Sequence, residues 1–199
     1  TFKTIAGVEK PESGRILLFD QDITYEPIYK LHSHGLHYLP QDSTLFRGLS
    51  VQQNIYTLIE DKVSSAKNMK KRAFSSLKKL GMENFGEKHI NELSAGQRRK
   101  AEISRALAIS PKFLLLDEPF SGLDPISIND LQNIFLALKK EEGMGILVTD
   151  HRVKETLHIS DYCYLIKNGQ IIADGEPQEI LENEKAIDAY LGEGFEKFS

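Results

Sequence analysis

Apolar residues in the second half of the chain fall into short runs separated by longer segments of helical period. Lys112 to Leu116 is apolar after its first residue, and Gly145 to Thr149 is rich in β-branched side chains. A continuous apolar run of this length predicts a strand buried on both faces. Helical patterning follows each, over Ile126 to Lys140 and over Arg152 to His158. Such alternation predicts a parallel sheet with crossover helices. Tyr162 to Ile166 and Gln170 to Ala173 flank Asn168-Gly169 and predict a hairpin. The polar tail, Pro177 to Leu191, reads as helix.

The first half has a different rhythm. Pro11-Glu12-Ser13-Gly14 predicts a turn, Arg15 to Phe19 a strand, and Asp20-Gln21-Asp22 a second turn. Gly35 to Leu39 predicts another strand. From Asp42 the pattern becomes helical, over Val51 to Ile59, Ala66 to Leu80 and Ala95 to Ile109. In the second of these Ala73, Leu77 and Leu80 share one face, and Gly81 supplies a stop. In the third, Ile103, Ala106 and Leu107 are apolar, and Arg98, Arg99 and Lys100 read as its polar side. The basic run Lys67, Lys70, Lys71 and Arg72 reads as a solvated helix face.

Composition narrows the class of partner. A net charge of -4 over 199 residues gives no electrostatic case for nucleic acid. The single cysteine, Cys163, excludes an internal disulfide and suits a reducing compartment; its tyrosine neighbours predict a buried, inert thiol. No apolar run approaches the roughly 20 residues that cross a bilayer, so membrane contact is expected only through partners.

The candidate chemistry gathers at turns and strand ends. Leu93-Ser94-Ala95-Gly96-Gln97 is a turn that opens a long helix. Ser94 offers a hydroxyl and a cap, Gly96 permits close backbone approach, and the free N–H groups of the helix start suit phosphate. The run Phe113 to Leu116 ends in Asp117-Glu118-Pro119, which places one carboxylate for a metal and one for a water. Tyr38-Leu39-Pro40-Gln41 ends a strand in an amide, and Ile146-Leu147-Val148-Thr149-Asp150-His151 ends one in an imidazole. Asp124, in Ser121-Gly122-Leu123-Asp124 before Pro125, suits a helix cap. Taken singly, Gln41 is also a plausible turn residue and His151 a structural one.

Together and in this order, these segments resemble the signature loop, Walker B strand, Q-loop, H-loop and D-loop of the ATP-binding-cassette (ABC) ATPases. The resemblance implies an α/β fold: a P-loop NTPase (RecA-like) core with an inserted α-helical subdomain. Its expected parts are a first core segment over 1–41, the helical subdomain with the signature loop over 42–111, and a second core segment with C-terminal helices over 112–199. It also implies ATP and Mg²⁺ as cofactors. Asp117 and Gln41 would serve the metal; Glu118 would be general base, with His151 and Gln41 completing the catalytic set. Ser94, Ala95, Gly96 and Gln97 would close over nucleotide held by a second subunit, with Asp124 signalling across a homodimer. The commoner signature has Gly at the position of Ala95.

Thr1 to Gly7 resembles the helix that follows the family's P-loop, but no G-x-x-x-x-G-K-[ST] motif is present. Gly81 to Lys88 comes nearest and places Glu87 where the lysine belongs. The expectation is therefore a sequence truncated at its start and inactive without its P-loop. Within the family the chain is most similar to ATP-binding subunits of lipopolysaccharide-export transporters. The resemblance rests on Tyr38 to Val51, Asp117 to Ser127, Thr149 to Leu157 and Tyr190-Leu191-Gly192-Glu193. It implies a place on the cytoplasmic face of the inner membrane. Integral permease subunits would seat near Phe46 and Arg47. Branched-chain amino-acid importer ATPases, soluble ABC ATPases of translation or repair, and a non-catalytic module are the alternatives.

Overall fold

The computed structural model describes residues 1–63, 65–183 and 186–187. These fall into two units, Thr1–Thr149 and Asp150–Ser199. The first begins with helix α1 (Phe2–Ile5) and a two-stranded hairpin, β1 (Leu17–Leu18) and β2 (Gln21–Asp22). This hairpin corrects the expected strand and turn. Phe19 and Asp20 both take positive φ, 49° and 63°, and form a two-residue turn of the primed type. The strand therefore ends sooner, and Gln21 and Asp22 return as its partner.

Helix α2 (Ile28–Leu31) precedes β3 (Leu36–Leu39). Three helices follow: α3 (Val51–Ile59), α4 (Ala66–Lys79) and α5 (Ala95–Leu107). Ser50 and Gln53 form a reciprocal capping box that starts α3. Gly81, at φ 64°, lies just past the end of α4. The sequence then enters β4 (Phe113–Asp117), α6 (Pro125–Glu142) and β5 (Gly145–Thr149). Asp124 caps α6, Pro125 occupies its first turn and Gly143 ends it in the left-handed region.

Strands β3, β4 and β5 form one parallel sheet in that order, as the alternating pattern predicts. Leu39 pairs with Leu116, and Asp117 with Thr149. Leu114, Leu115 and Leu116 are fully buried, which explains their unbroken apolar run. On one side Leu115 packs with Phe2, Ala6, Ile23, Leu31 and Leu36.

The second unit holds α7 (Val153–Ile159), the hairpin β6 (Cys163–Lys167) and β7 (Gln170–Gly175), and α8 (Pro177–Glu182). Asn168 and Gly169 take the positive φ that the hairpin turn requires. Its core joins Leu157, Ala173, Ile180, Leu181 and Ala186. α8 ends at Glu182 with Asn183, at ψ 117°, as its cap, and helical geometry is present again at Ala186 and Ile187; the rest of the expected tail helix lies outside the described residues. Tyr190-Leu191-Gly192-Glu193 lies outside the described residues. Cys163 is half-buried, and burial raises its thiol pKa, as expected of an unreactive side chain. Among the described residues no helix is long and apolar enough to cross a membrane.

His37, on β3, has a strongly displaced titration. Burial, then the positive charges of Arg105, His32 and Lys62, bring its pKa down to about 4. Its folded value lies below the unfolded one, so its contribution is complete above about pH 6.5 and is lost as pH falls toward 4. The expected outcome is a fall of about 1–3 kcal/mol in urea-unfolding free energy across that window. His37→Asn should flatten the decline; an equally steep decline in the variant would reassign it to other groups.

Candidate functional site

Parallel strands leave their carboxyl ends facing one edge of the sheet, and polar groups gather there. Gln41 follows β3 by two residues, Asp117 ends β4, and Glu118 is the next residue. The structure brings the three together. Gln41 Nε2 donates to Glu118 Oε2 at 2.7 Å. Asp117 accepts from Thr149 Oγ1 on β5 at 2.8 Å and from Tyr38 Oη on β3 at 3.0 Å. Its carboxylate is thus held by the strands on both sides. Partial burial and the bond to Asp117 raise the Tyr38 phenol pKa to about 12, so it remains a donor at neutral pH.

Glu118 has φ 44°, a left-handed conformation rare for a residue with a side chain. Such a backbone costs about 1–3 kcal/mol and persists only when its surroundings fix it. Here the turn carries the Glu118 carboxylate off the line of β4 and toward Gln41. A small cleft of about 130 Å³ lies over this pair, lined also by Ala95, Arg98, Arg99, Glu102 and Ser121.

The turn at Ser94 is built as the sequence suggests. Ser94 Oγ accepts from Gln97 N at 3.2 Å and Gln97 Oε1 from Ser94 N at 3.0 Å, a capping box that starts α5. Ser94 and Ala95 are exposed, and Gly96 is buried. Gly96 has a further role that the sequence did not reveal. A Cβ there would lie 2.8 Å from Ser127 Cβ, so α5 and α6 approach closely at this point. Asp124 Oδ1 accepts from Ser127 N at 3.0 Å and Oδ2 from Ser127 Oγ at 2.6 Å. These bonds lower the Asp124 pKa and confirm it as a cap.

His151 belongs to the second unit. It is exposed, with Nδ1 3.8 Å from Asp150 Oδ1, and Asp150 also accepts from Arg152 N. Phe46 is 55% exposed, on the loop before α3. Asn54 of α3 fixes that loop: its Oδ1 accepts from Phe46 N at 2.7 Å and its Nδ2 donates to Phe46 O at 3.1 Å. A cavity of about 310 Å³ opens elsewhere in the first unit, lined by Ile28, His37, Tyr38, Thr57, Leu58 and Lys62 among others.

Neither Arg99 nor Glu102 belongs to a motif named above, and Arg99 corrects the sequence reading of a polar helix face. It is 7% exposed and pairs with buried Glu102 at 2.9 Å. Positions 99, 102, 103 and 106 share one helical stripe, and that spacing was the available signal.

The donor set suits Mg²⁺ bound to a nucleotide. Mg²⁺ typically takes one or two carboxylates and completes its shell with water and phosphate oxygens. Each Asp117 oxygen accepts one hydrogen bond and keeps acceptor capacity. Among the described residues no cluster of three or more His, Cys, Asp or Glu is placed to hold a metal ion.

A parallel sheet with acids at its carboxyl edge and a capped glycine turn opening a helix is the architecture of an α/β protein that binds phosphate-bearing ligands. The particular family follows from comparison with known proteins. The sequence profile described as "ABC transporter" matches residues 1–121, and that of the "Branched-chain amino acid ATP-binding cassette transporter" matches residues 170–196. The chain is 40% identical over 196 residues to the lipopolysaccharide export system ATP-binding protein LptB of Escherichia coli (strain K12). That match covers 98% of this chain and 81% of the relative. Against LptB of Haemophilus influenzae it is 38% identical over 200 residues, with the same coverage. Among solved structures, the ADP conformation of the ABC-transporter cassette MJ1267 has a TM-score of 0.84 at 29% identity, covering 96% of this chain and 82% of that one. Structure cbiO1 of Clostridium perfringens has a TM-score of 0.83 at 31% identity, covering 93% and 74%. The chain belongs to the ABC transporter ATP-binding family, with its P-loop NTPase fold.

The Gly96 contact gives a direct test. Gly96→Ala should destabilise the protein by about 1–3 kcal/mol through overpacking, read as a lower urea midpoint. Ser127→Gly should recover much of that loss in the double variant. Additive losses in the double variant would show that the two helices do not meet there.

Proposed function

We propose that this chain is the ATP-hydrolysing subunit of a lipopolysaccharide-export ABC transporter, acting as a homodimer beneath integral permease subunits on the cytoplasmic face of the inner membrane. The likeness to the two LptB proteins over 98% of the chain supports the substrate. The observation that carries the chemistry is the Gln41–Glu118 contact beside a doubly held Asp117.

In this reading Asp117 and Gln41 serve Mg²⁺, which neutralises phosphate charge when bound. Glu118 takes the proton of the attacking water, and Gln41 orients that carboxylate. His151 is assigned to the catalytic set by the family resemblance alone. Ser94, Ala95, Gly96 and Gln97 face the nucleotide of the opposite subunit, and Asp124 lies at that interface. The segment 42–111, which holds α3, α4 and α5, is the helical subdomain, set between core segments 1–41 and 112–199. Phe46 and Arg47, on the loop anchored by Asn54, meet the permease. A second reading, a branched-chain amino-acid importer, is favoured by the profile match at residues 170–196.

Residues 1–199 contain no G-x-x-x-x-G-K-[ST] motif, and phosphate binding by this family draws on that loop's N–H groups and lysine. Thr1–Ser199 titrated with Mg-ATP should therefore show no micromolar binding. A P-loop-bearing form should bind and hydrolyse it. In that form Glu118→Gln should keep nucleotide affinity and lose turnover by roughly 10²–10⁴-fold, the usual contribution of a general base. Near-normal hydrolysis by Glu118→Gln would refute the assignment.

Partner and substrate are tested together by co-expression with candidate permease pairs. Phe46→Ala and Arg47→Glu should reduce co-purification with lipopolysaccharide-export permeases several-fold while sparing ATPase activity of the isolated subunit. Capture only by amino-acid permeases would favour the second reading.

A further inference from the structure

Arg99 lies on α5, yet its guanidinium reaches the two loops that carry the catalytic pair. Nη2 donates to the carbonyl oxygen of Asp117 at 3.1 Å, and Nη1 to that of Pro40 at 3.2 Å. Nη1 also meets Glu102 Oε2 at 2.9 Å. The two carbonyls belong to the peptide groups just before Glu118 and just before Gln41. Those are the two residues whose side chains touch at 2.7 Å.

The Asp117–Glu118 peptide is held from both ends. Its N–H donates to Thr149 O at 2.8 Å, which continues the β4–β5 ladder. Its carbonyl is taken by Arg99. Two hydrogen bonds orient this peptide, and Glu118 leaves it at φ 44°. Glu102, 4% exposed, balances the buried charge. A lysine at position 99 would keep the charge, but a single ammonium does not reproduce the planar fork that reaches two separate carbonyls and Glu102.

We infer that Arg99 is a positioning residue: it fixes the backbone on which Gln41 and Glu118 meet and ties that backbone to the helix opened by Ser94. The same arm therefore couples the signature turn to the carboxylate of its own subunit. The inference rests on the reading of Glu118 as the general base.

The test begins with Thr1–Ser199 without nucleotide. Amide hydrogen exchange is measured for the wild type, for Arg99→Lys, and for the double variant Arg99→Met/Glu102→Leu. The double variant removes both buried charges, so no unpaired carboxylate is left to unfold the protein. Exchange at the Glu118 amide should rise about tenfold, the scale of one net hydrogen bond, while the amides of Leu114–Leu116 keep their protection. Arg99→Lys should show the same local change, and it serves alone if the double variant does not fold. In the P-loop-bearing form, either variant should lower kcat by about 100-fold through misplacement, with KM for ATP nearly unchanged. Unchanged exchange at Glu118 would overturn the inference, as would wild-type kcat in a variant whose Glu118 protection is lost. Full turnover by Glu118→Gln would remove the catalytic reading and leave the anchoring, read by exchange, in place.

Discussion

A strand buried on both faces can carry no charge along its length and must release it at its end. Strand β4 imposes this rule on the first unit. Leu114, Leu115 and Leu116 are enclosed by β3 and β5 in the sheet and by apolar side chains above and below. The first position that can hold a carboxylate is Asp117, and the flanking strands supply its donors, Tyr38 and Thr149. Register does the rest. Because Leu39 lies opposite Leu116, the chain leaving β3 brings Gln41 alongside Glu118. The site is thus a consequence of where apolar pairing stops.

This explains what could be read from the sequence. Buried parallel strands have a plain signature, so β4 and β5 were legible to within a residue. The capping residues Ser94 and Asp124 marked two helix starts, because each satisfies helix N–H groups by a local bond that depends on few neighbours. The acids and the amide were legible as strand-end residues, and their meeting was an expectation of the family resemblance.

What stayed hidden depends on tertiary contact. No glycine marks the left-handed turn at Glu118, which follows a peptide held by Thr149 and Arg99. Arg99 was concealed by its neighbours, since Arg98-Arg99-Lys100 reads as a solvated run. Only the middle residue of that run is buried. The early hairpin failed for a related reason. Phe19 in a primed turn contradicts its local preference, and β1 is correspondingly shorter than its apolar pattern.

The same close packing joins two exposed turns into one rigid corner. Gly96 lies against Ser127, and Ser127 gives both its N–H and its hydroxyl to Asp124. The start of α5 therefore cannot shift without pressing on the start of α6. Arg99 stands one turn further along α5 and grips the peptides before Gln41 and Glu118. A displacement at Ser94 is felt at Asp124 through packing and at the carboxylate through hydrogen bonds. Neither route requires a flexible linker. Gly96 is buried at that contact, and only a residue without a Cβ leaves room there for Ser127 of α6.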